Sequence, residues 1–222
     1  MRQTSLNLIA IAIFTITISC LLGPIINLSP TIPASITFVL MGLVTIDTLS
    51  FRNQGANILL DLLATKAQKE RIIKHEAGHF LAAYFLGIPI ESYTLSAWEA
   101  LKKGQSGMGG VVFAAESINQ ALTSREASLA LERFSTVLMA GIAAETIFYG
   151  EAEGGEEDLV QLKQIFDLVG LSPNLYRQKQ RWAKLQAQNL IQKHQSSYEA
   201  LVAAMTARKP IEECLSIIQA NT

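Results

Sequence analysis

The sequence KAQKERIIKHEAGHFLAAYFL (residues 66–86) contains two histidines four positions apart, His75 and His79, with Glu76 directly after the first. At 3.6 residues per helical turn, both imidazoles lie on one face of a helix and can reach one metal ion. Residues 66–74 are mostly polar and residues 80–86 are apolar, so the helix passes from surface to core at this motif. The chain has three histidines in all, so a histidine-rich composition does not explain the pair. The stretch therefore predicts a metal site on a helix.

Zinc is the metal that this pattern favours. Two histidines one turn apart supply neutral nitrogen ligands, and the adjacent glutamate lies beside the open coordination position. We predict that His75 and His79 bind Zn2+ and that Glu76 is the general base of a peptide hydrolysis, taking a proton from the attacking water. The alternative is a pair of core histidines that are satisfied by hydrogen bonds and bind no metal.

A third ligand is needed, because catalytic zinc usually takes three protein ligands and leaves one position for water. No third histidine follows at short range, so a carboxylate must complete the set. Asp158 is attractive because it falls in the first turn of a predicted helix after a glycine pair, where the helix dipole favours a carboxylate. Spacing alone does not choose among the candidates, which are Glu145, Glu151, Glu153, Glu156, Glu157, Asp158 and Asp167.

The N-terminal region is predicted to be a membrane anchor. Residues 6–28 form a nearly uncharged apolar run of spanning length, and residues 32–49 form a second, shorter one. So short a connection between them suggests a helical hairpin in the bilayer, since helices satisfy their own backbone groups in lipid. We therefore place an anchor at residues 1–52 and a peptidase domain at residues 53–222.

Basic residues flank this hairpin on both sides, whereas its connecting turn carries no charge. The positive-inside rule then places the peptidase domain on the cytoplasmic or stromal side of the membrane. The flanking residues are Arg2, Arg52, Lys66, Lys69, Arg71 and Lys74. A cleaved signal peptide, a lipid anchor on Cys20, and a buried or interfacial second segment are the alternatives.

The remainder of the chain is predicted to be mostly helical, which gives a mainly α fold class with a minor β element. Two short strands, at residues 90–98 and 109–113, are predicted around a loop at residues 101–107. One of them is expected to pair with an extended substrate. Helices are predicted at residues 61–86, from a capping box at 123–126 to Gly150, at 157–169, at 172–207 and at 211–218.

The helix that ends at Gly150 contains the small-residue stretch 140–144, which allows another helix to approach closely. We expect its neighbour to be the equally small Ala77-Gly78 turn of the histidine helix. Glu132, Arg133 and Glu145 interrupt the apolar run and argue against a third membrane span.

Charge and cysteine content give no sign of nucleic-acid binding or of a cysteine-based site. The net charge is −1 and the pI is about 6.3, so no basic patch implies nucleic-acid binding. Cys20 and Cys214 lie in opposite environments, so a disulfide is not expected, and two thiols are too few for a thiolate zinc site.

Three segments together resemble the signature regions of the FtsH-type zinc metallopeptidase domain. They are KHEAGH (residues 74–79), MAGIAAETIFYGE (139–151) and GEEDL (155–159). The resemblance covers about residues 66–205 and implies a helical, zincin-like peptidase domain. It also implies that His75 and His79 are zinc ligands, that Glu76 is the base, and that Asp158 is the third ligand.

The sequence also departs from that family. No GxxxxGK[ST] phosphate loop occurs in these 222 residues, whereas FtsH-type proteases carry an ATPase module before the peptidase. This layout is similar to ATPase-less homologues of cyanobacteria and plastids. Ala140 and Ile142 replace a glycine and an arginine of the family pattern, and Glu157 replaces the usual asparagine. A carboxylate at position 157 could compete for the metal or repel substrate.

The expected function is hydrolysis of peptide bonds in unfolded or partner-delivered polypeptides. AAA+ ATPase subunits, FtsH-type subunits and further copies of this chain are the partner classes that the resemblance leaves open. Two alternatives remain: a non-catalytic membrane scaffold or regulator of an FtsH-type protease complex, and an intramembrane site-two-like protease. Charged residues directly before the motif, such as Arg71 and Lys74, argue against the second.

Overall fold

The structure is a computed structural model that describes residues 2–51, 53–105, 107, 109–114, 116, 120 and 126–222. Its described part is mainly helical with one two-stranded sheet, as predicted from the sequence. In chain order the elements are α1 (Arg2–Leu22), α2 (Thr31–Ser50), α3 (Gln54–Leu63), α4 (Lys66–Leu86), β1 (Ile90–Thr94), α5 (Ala97–Lys102), β2 (Gly110–Phe113), α6 (Ala127–Tyr149), α7 (Glu156–Leu168), α8 (Pro173–Lys193), α9 (Gln195–Thr206) and α10 (Ile211–Ala220).

The described residues divide into two compact units. The first comprises residues within 1–64 and 96–109, and therefore contains α1, α2, α3 and α5. The second comprises residues within 65–95 and 110–222, and contains the sheet and the other helices.

In the first unit, α1 and α2 leave almost all of their apolar side chains exposed. A 3-10 turn at Gly23–Ile26 extends α1, and its end at Asn27 adopts a left-handed conformation. The end of α2 is tied to α3, because the Asp47 carboxylate accepts hydrogen bonds from the backbone N–H groups of Gly55 and Ala56 at 2.8 and 2.9 Å. Helix α3 packs against α5, and the Gln54 amide donates to the carbonyl of Gln105 at 3.1 Å.

Three described helices are long and apolar enough to cross a membrane. Two of them, Leu6–Ile26 and Thr31–Ser50, are the predicted spans, and only 6% of each is buried. The third is α6, of which 61% is buried inside the second unit. Helix α6 is therefore covered by protein in this fold, whereas the two N-terminal helices are not.

The second unit is built on the packing of α4 against α6. A Cβ atom at Gly78 would lie 2.5 Å from the carbonyl oxygen of Ala140 and 3.0 Å from the Ala144 methyl carbon, so only glycine fits there. The predicted close approach of the two small-residue stretches is thus confirmed. The main core forms around this contact from residues of α4, α6, α8, α9 and α10, including Phe80, Val137, Ile191, Leu201 and Ile218.

Two of the predicted helices are interrupted. The helix predicted at residues 61–86 is two helices, because Ala64 is extended and Thr65 starts α4 with a capping box that it shares with Gln68. The helix predicted at residues 172–207 breaks at His194, whose φ of −115° is not helical. The His194 ring stacks on Phe85 at a centroid distance of 3.8 Å. In both places the helical pattern of the sequence continues across a local break.

The two strands pair antiparallel, with Tyr93 opposite Val111 and Thr94 opposite Gly110. The first strand was predicted to reach residue 98, and this is wrong: it ends at Thr94. The Ser96 side chain accepts a hydrogen bond from the Glu99 N–H and caps α5, so that Trp98 is helical. The loop predicted at residues 101–107 consequently begins after Lys102.

The other helix ends agree with the sequence prediction to within two residues. Helix α6 ends at Tyr149 before Gly150, α7 begins at Glu156, and α10 begins at Ile211. The capping box predicted at residues 123–126 lies outside the described residues except for Glu126.

Candidate metal centre

Helix α4 brings its two motif histidines to one buried place. His75 is 8% exposed and His79 is 4% exposed, and their ring centroids are 4.8 Å apart. The sequence causes this arrangement, because the i,i+4 spacing stacks the side chains on one face. Gly78, which lies between them in sequence, lets α6 approach α4 closely.

Asp158, in the first turn of α7, meets both histidines. Its Oδ2 lies 3.1 Å from Nε2 of His75, and its Oδ1 lies 3.3 Å from Nε2 of His79. One ligand atom from each of the three residues lies within 4.8 Å of the others. The three residues that the resemblance suggested as ligands, distant in sequence, are thus adjacent in the fold.

Gly155 explains why the chain turns into α7 at this point. Its φ of 92° lies in the left-handed region, which residues with a side chain rarely adopt. An added Cβ would also lie 2.3 Å from the Ile142 side chain. The turn sets Asp158 in a first turn where the partial positive charge of the helix end stabilises a carboxylate.

The outer nitrogen of each imidazole is held by an acceptor. Nδ1 of His75 lies 2.7 Å from Oε1 of Glu145, and Nδ1 of His79 lies 2.7 Å from the carbonyl oxygen of Val137. A neutral histidine that donates from Nδ1 presents the lone pair of Nε2. Both lone pairs then point at Asp158, which is itself an acceptor.

This arrangement of facing acceptors requires a cation among them, either protons or a metal ion. Burial lowers the pKa of His75, but its hydrogen bonds with Asp158 and Glu145 outweigh that effect and raise the pKa to about 10. Burial raises the pKa of Asp158, but the charge of His79 and the bonds from both histidines bring it well below its usual value. Two nitrogens and a carboxylate oxygen are also ligands that zinc prefers, so the donor set fits that ion.

Glu145 has a role that the sequence analysis did not assign to it. It was one of seven candidate ligands, yet it contacts the outer nitrogen of His75 instead of the nitrogen that faces Asp158. Its other oxygen pairs with Arg71 and accepts the Glu153 N–H at 2.9 Å. Although burial alone would raise the pKa of Glu145, these contacts lower it to about 2. Glu145 is therefore an ionised group that orients His75.

Arg71 connects α4 to the turn after α6. Its guanidinium contacts Glu145, the Glu153 carboxylate at 2.9 Å, and the carbonyl oxygen of Glu151. Its position one turn before His75 was a usable signal, because i,i+4 residues share a helical face. Glu145, the only acidic residue in the apolar residues 134–149, was a second usable signal.

Glu76 is buried beside the histidines, at 8% exposure, and its Oε2 has no hydrogen-bond partner among the described residues. Burial raises the pKa of Glu76, an effect that the two histidines and a hydrogen bond from the Val111 backbone partly offset. An unpartnered buried carboxylate oxygen costs free energy, so this atom is a candidate for contact with a polar ligand. Strand β2 lies next to this carboxylate through Val111.

Gly141 on α6 forms the wall opposite the two histidines. A Cβ at this position would lie 2.3 Å from Nε2 of His75 and 2.5 Å from Nε2 of His79. Any larger residue would therefore clash with the two imidazole rings. Glycine is what allows α6 to pack this closely against the histidine pair.

The other candidate ligands lie elsewhere. Glu153 pairs with Arg71, and Asp167 bonds to Tyr176 and Lys163. The Glu157 side chain is exposed at the surface. Partial desolvation of its carboxyl group, and to a lesser extent the neighbouring charge of Asp158, raises the pKa of Glu157. Glu151, Glu156 and Glu157 do not belong to the group of three ligand residues found among the described residues.

Comparison with known proteins adds no identification: no protein-family model matches this chain, and no match is found among curated proteins. Any functional assignment therefore depends on the residues and on their geometry.

Proposed function

We propose that this protein is a membrane-anchored zinc metallopeptidase, similar to the FtsH type, that hydrolyses peptide bonds of unfolded or partner-delivered polypeptides. One observation carries the proposal: His75, His79 and Asp158 converge on one point, and Glu76, the neighbour of His75 on the same helix, has a buried carboxylate oxygen without a partner among the described residues. Two imidazoles, one carboxylate and a neighbouring free base are the parts that metal-assisted hydrolysis requires.

His75, His79 and Asp158 would hold the ion. When bound, zinc supplies a Lewis acid that activates water and polarises a carbonyl group. Glu145 and the Val137 carbonyl hold the two imidazole rings with Nε2 directed inward. The rings are therefore already oriented for an ion, and little side-chain motion would have to be lost when the ion binds. Gly141 avoids the clash that a side chain at this position would make with both imidazoles.

Glu76 has the properties of a general base. Its Oε2 is free to accept a proton from a water molecule that attacks a peptide carbonyl. A carboxyl group whose pKa is raised by burial can also release that proton to the leaving amine, since efficient proton transfer needs a pKa nearer the working pH.

A purely structural zinc site fits less well. Structural zinc is almost always held by four protein ligands, whereas the described residues provide a group of three. A structural site also gains nothing from a buried base without a partner, because that oxygen only costs stability.

Membrane attachment through α1 and α2 is part of the proposal. Both helices have the length and composition of spans and little protein covers them. The charge distribution of the sequence favours the cytoplasmic or stromal side for the peptidase domain. Because no phosphate-loop motif occurs in this chain, unfolded polypeptides or chains delivered by an AAA+ ATPase are the proposed substrates.

A pair of glutamate variants on α4 tests catalysis. The full chain in lipid vesicles, loaded with zinc, is incubated with an unfolded protein such as casein. Glu76→Gln is expected to keep its zinc and to lose about 100-fold or more in cleavage rate, as expected when a general base is removed. Glu70→Gln is the control, because Glu70 is an exposed residue of the same helix whose carboxylate pairs with Lys74 at 2.9 Å.

Cleavage by Glu76→Gln at the wild-type rate would contradict the proposal. Wild-type protein that binds zinc stoichiometrically by metal analysis, yet cleaves no unfolded protein with or without an AAA+ partner, would instead favour the scaffold function.

A further inference from the structure

Helix α3 has an apolar face that the described part of the chain leaves exposed. Leu59, Leu62 and Leu63 are all exposed, and their i,i+3,i+4 spacing places them together on one side of the helix. Polar residues Gln54, Asn57 and Asp61 lie at the spacing of the opposite stripe. No described residue of α3 is fully buried. Such a helix is amphipathic and lacks a partner for its apolar side.

The position of α3 in the chain indicates which partner its apolar side has. The helix begins only four residues after α2 ends, and α2 is a candidate membrane span. Asp47 of α2 accepts the first backbone N–H groups of α3, so the start of α3 is fixed to the last turns of the span. A helix that starts where a span ends lies at the boundary between lipid and water.

Helix α5, which packs against α3, carries the residues typical of that boundary. Trp98 and Leu101 are exposed and share a face, since they are three residues apart. The Lys102 ammonium lies over the Trp98 ring at 5.3 Å from its centroid. Tryptophan is enriched at membrane interfaces, and lysine there attracts anionic headgroups.

We propose that α3 and α5 together form a membrane-surface platform that lies in the interfacial layer of an anionic bilayer. Leu59, Leu62, Leu63, Trp98 and Leu101 enter the headgroup and acyl boundary, and Lys102 meets lipid phosphates. This proposal does not depend on the metal site; it depends only on the proposal that α1 and α2 span the membrane. Its contribution is to add interfacial area to the hairpin and to fix the depth at which residues 53–64 lie.

The two tryptophans provide a matched test of α5. Trp98 is 53% exposed and Trp182, in the second unit, is 50% exposed. Single-tryptophan variants Trp182→Phe and Trp98→Phe of the full chain are reconstituted in vesicles of equal parts phosphatidylcholine and phosphatidylglycerol with brominated acyl chains. Trp98 should lose about half of its fluorescence relative to unbrominated vesicles, because the ring sits at headgroup level, and Trp182 should lose almost none.

Equal quenching of both tryptophans, or quenching of neither, would overturn the proposal. Flotation with the vesicles is measured in parallel, so that protein that floats but shows no Trp98 quenching refutes the platform while leaving the spans intact.

A second pair tests α3. Leu62 is 77% exposed and Leu168, in the second unit, is 75% exposed. Each is replaced by cysteine and labelled with a nitroxide in a Cys20→Ala background, where the remaining Cys214 is buried. The label at 62 should collide with oxygen more than with an aqueous nickel complex, and the label at 168 should show the reverse. Aqueous accessibility at 62 equal to that at 168 would overturn the placement of α3.

Discussion

Helices α2 and α6 are similar in length and apolar composition, yet protein covers only one of them. Both meet the length and hydropathy of a membrane span, but 6% of α2 is buried and 61% of α6 is. The difference lies in small residues and their neighbours. Gly78 and the 140–144 stretch allow α4 to lie against α6, whereas a Cβ at Gly42 in α2 would touch nothing within 4 Å. Hydropathy therefore identifies an apolar helix, and close packing decides what surrounds it.

The same two helices each contain an acidic residue near the C-terminal end, and the two acids act differently. Asp47 of α2 accepts backbone N–H groups at the start of α3. Glu145 of α6 is 2% exposed and accepts bonds from a histidine, an arginine and the chain after α6. An acid near water can cap a helix, whereas an acid in a core needs cationic partners and orients them in return.

The largest effect is expected where α4 meets α6. Gly78→Ala should destabilise the second unit by about 3 kcal/mol, because the new methyl group overlaps the Ala140 carbonyl. Denaturant unfolding in mild detergent, followed by Trp182 fluorescence in a Trp98→Phe background, measures the change.

The control for Gly78 is the same substitution in α2. Gly42→Ala should change that unfolding free energy by less than about 0.5 kcal/mol, since nothing packs on it. Equal effects of the two substitutions would contradict the contrast between the helices.

The two acids give the next largest effect. Glu145→Gln should weaken zinc binding about 10- to 100-fold, because it removes the charge that orients His75. Competition with a chromophoric zinc chelator measures the affinity, and circular dichroism verifies that the variant is folded. Asp47→Asn should leave the affinity unchanged. Zinc affinity of Glu145→Gln equal to that of wild type would show that the His75–Glu145 contact does not support the site.

The smallest effect concerns the junction of α2 and α3. Asp47→Ala should cost about 1 kcal/mol locally, as expected for loss of an N-terminal helix cap. Hydrogen exchange of the Gly55 and Ala56 amides should then be about fivefold faster, the ratio that corresponds to 1 kcal/mol. Thr45→Ala is the control, because the Thr45 hydroxyl donates to the Met41 carbonyl within α2 at 2.8 Å. Unchanged exchange at both amides would mean that Asp47 does not fix α3.

Much of the fold could be predicted from local patterns. Gly87, Gly150 and Gly170 follow helices that end near the predicted positions, because glycine readily takes the positive φ that closes a helix. The breaks at Ala64 and His194 were missed, since helical periodicity continues through both. Trp98 was placed on a strand because aromatic residues favour strands, but the Ser96 cap started a helix instead.

The candidate site was predictable only in part for a similar reason. The i,i+4 spacing of His75 and His79 is local and already fixes their shared face. The contacts of Glu145 with His75, and of Arg71 with Glu145, join residues that are 70 and 74 positions apart. No periodicity within one segment encodes such a contact.

The sequence by itself determined most of the helical elements, the pair of histidines on one face with a glutamate beside them, and the apolar N-terminal helices, because these depend on spacing and composition. Only the tertiary structure decided that Asp158 faces both Nε2 atoms and that Glu145 holds the outer nitrogen of His75. These features depend on which helices can approach closely, and Gly78, Gly141 and Gly155 permit that approach at three separate contacts.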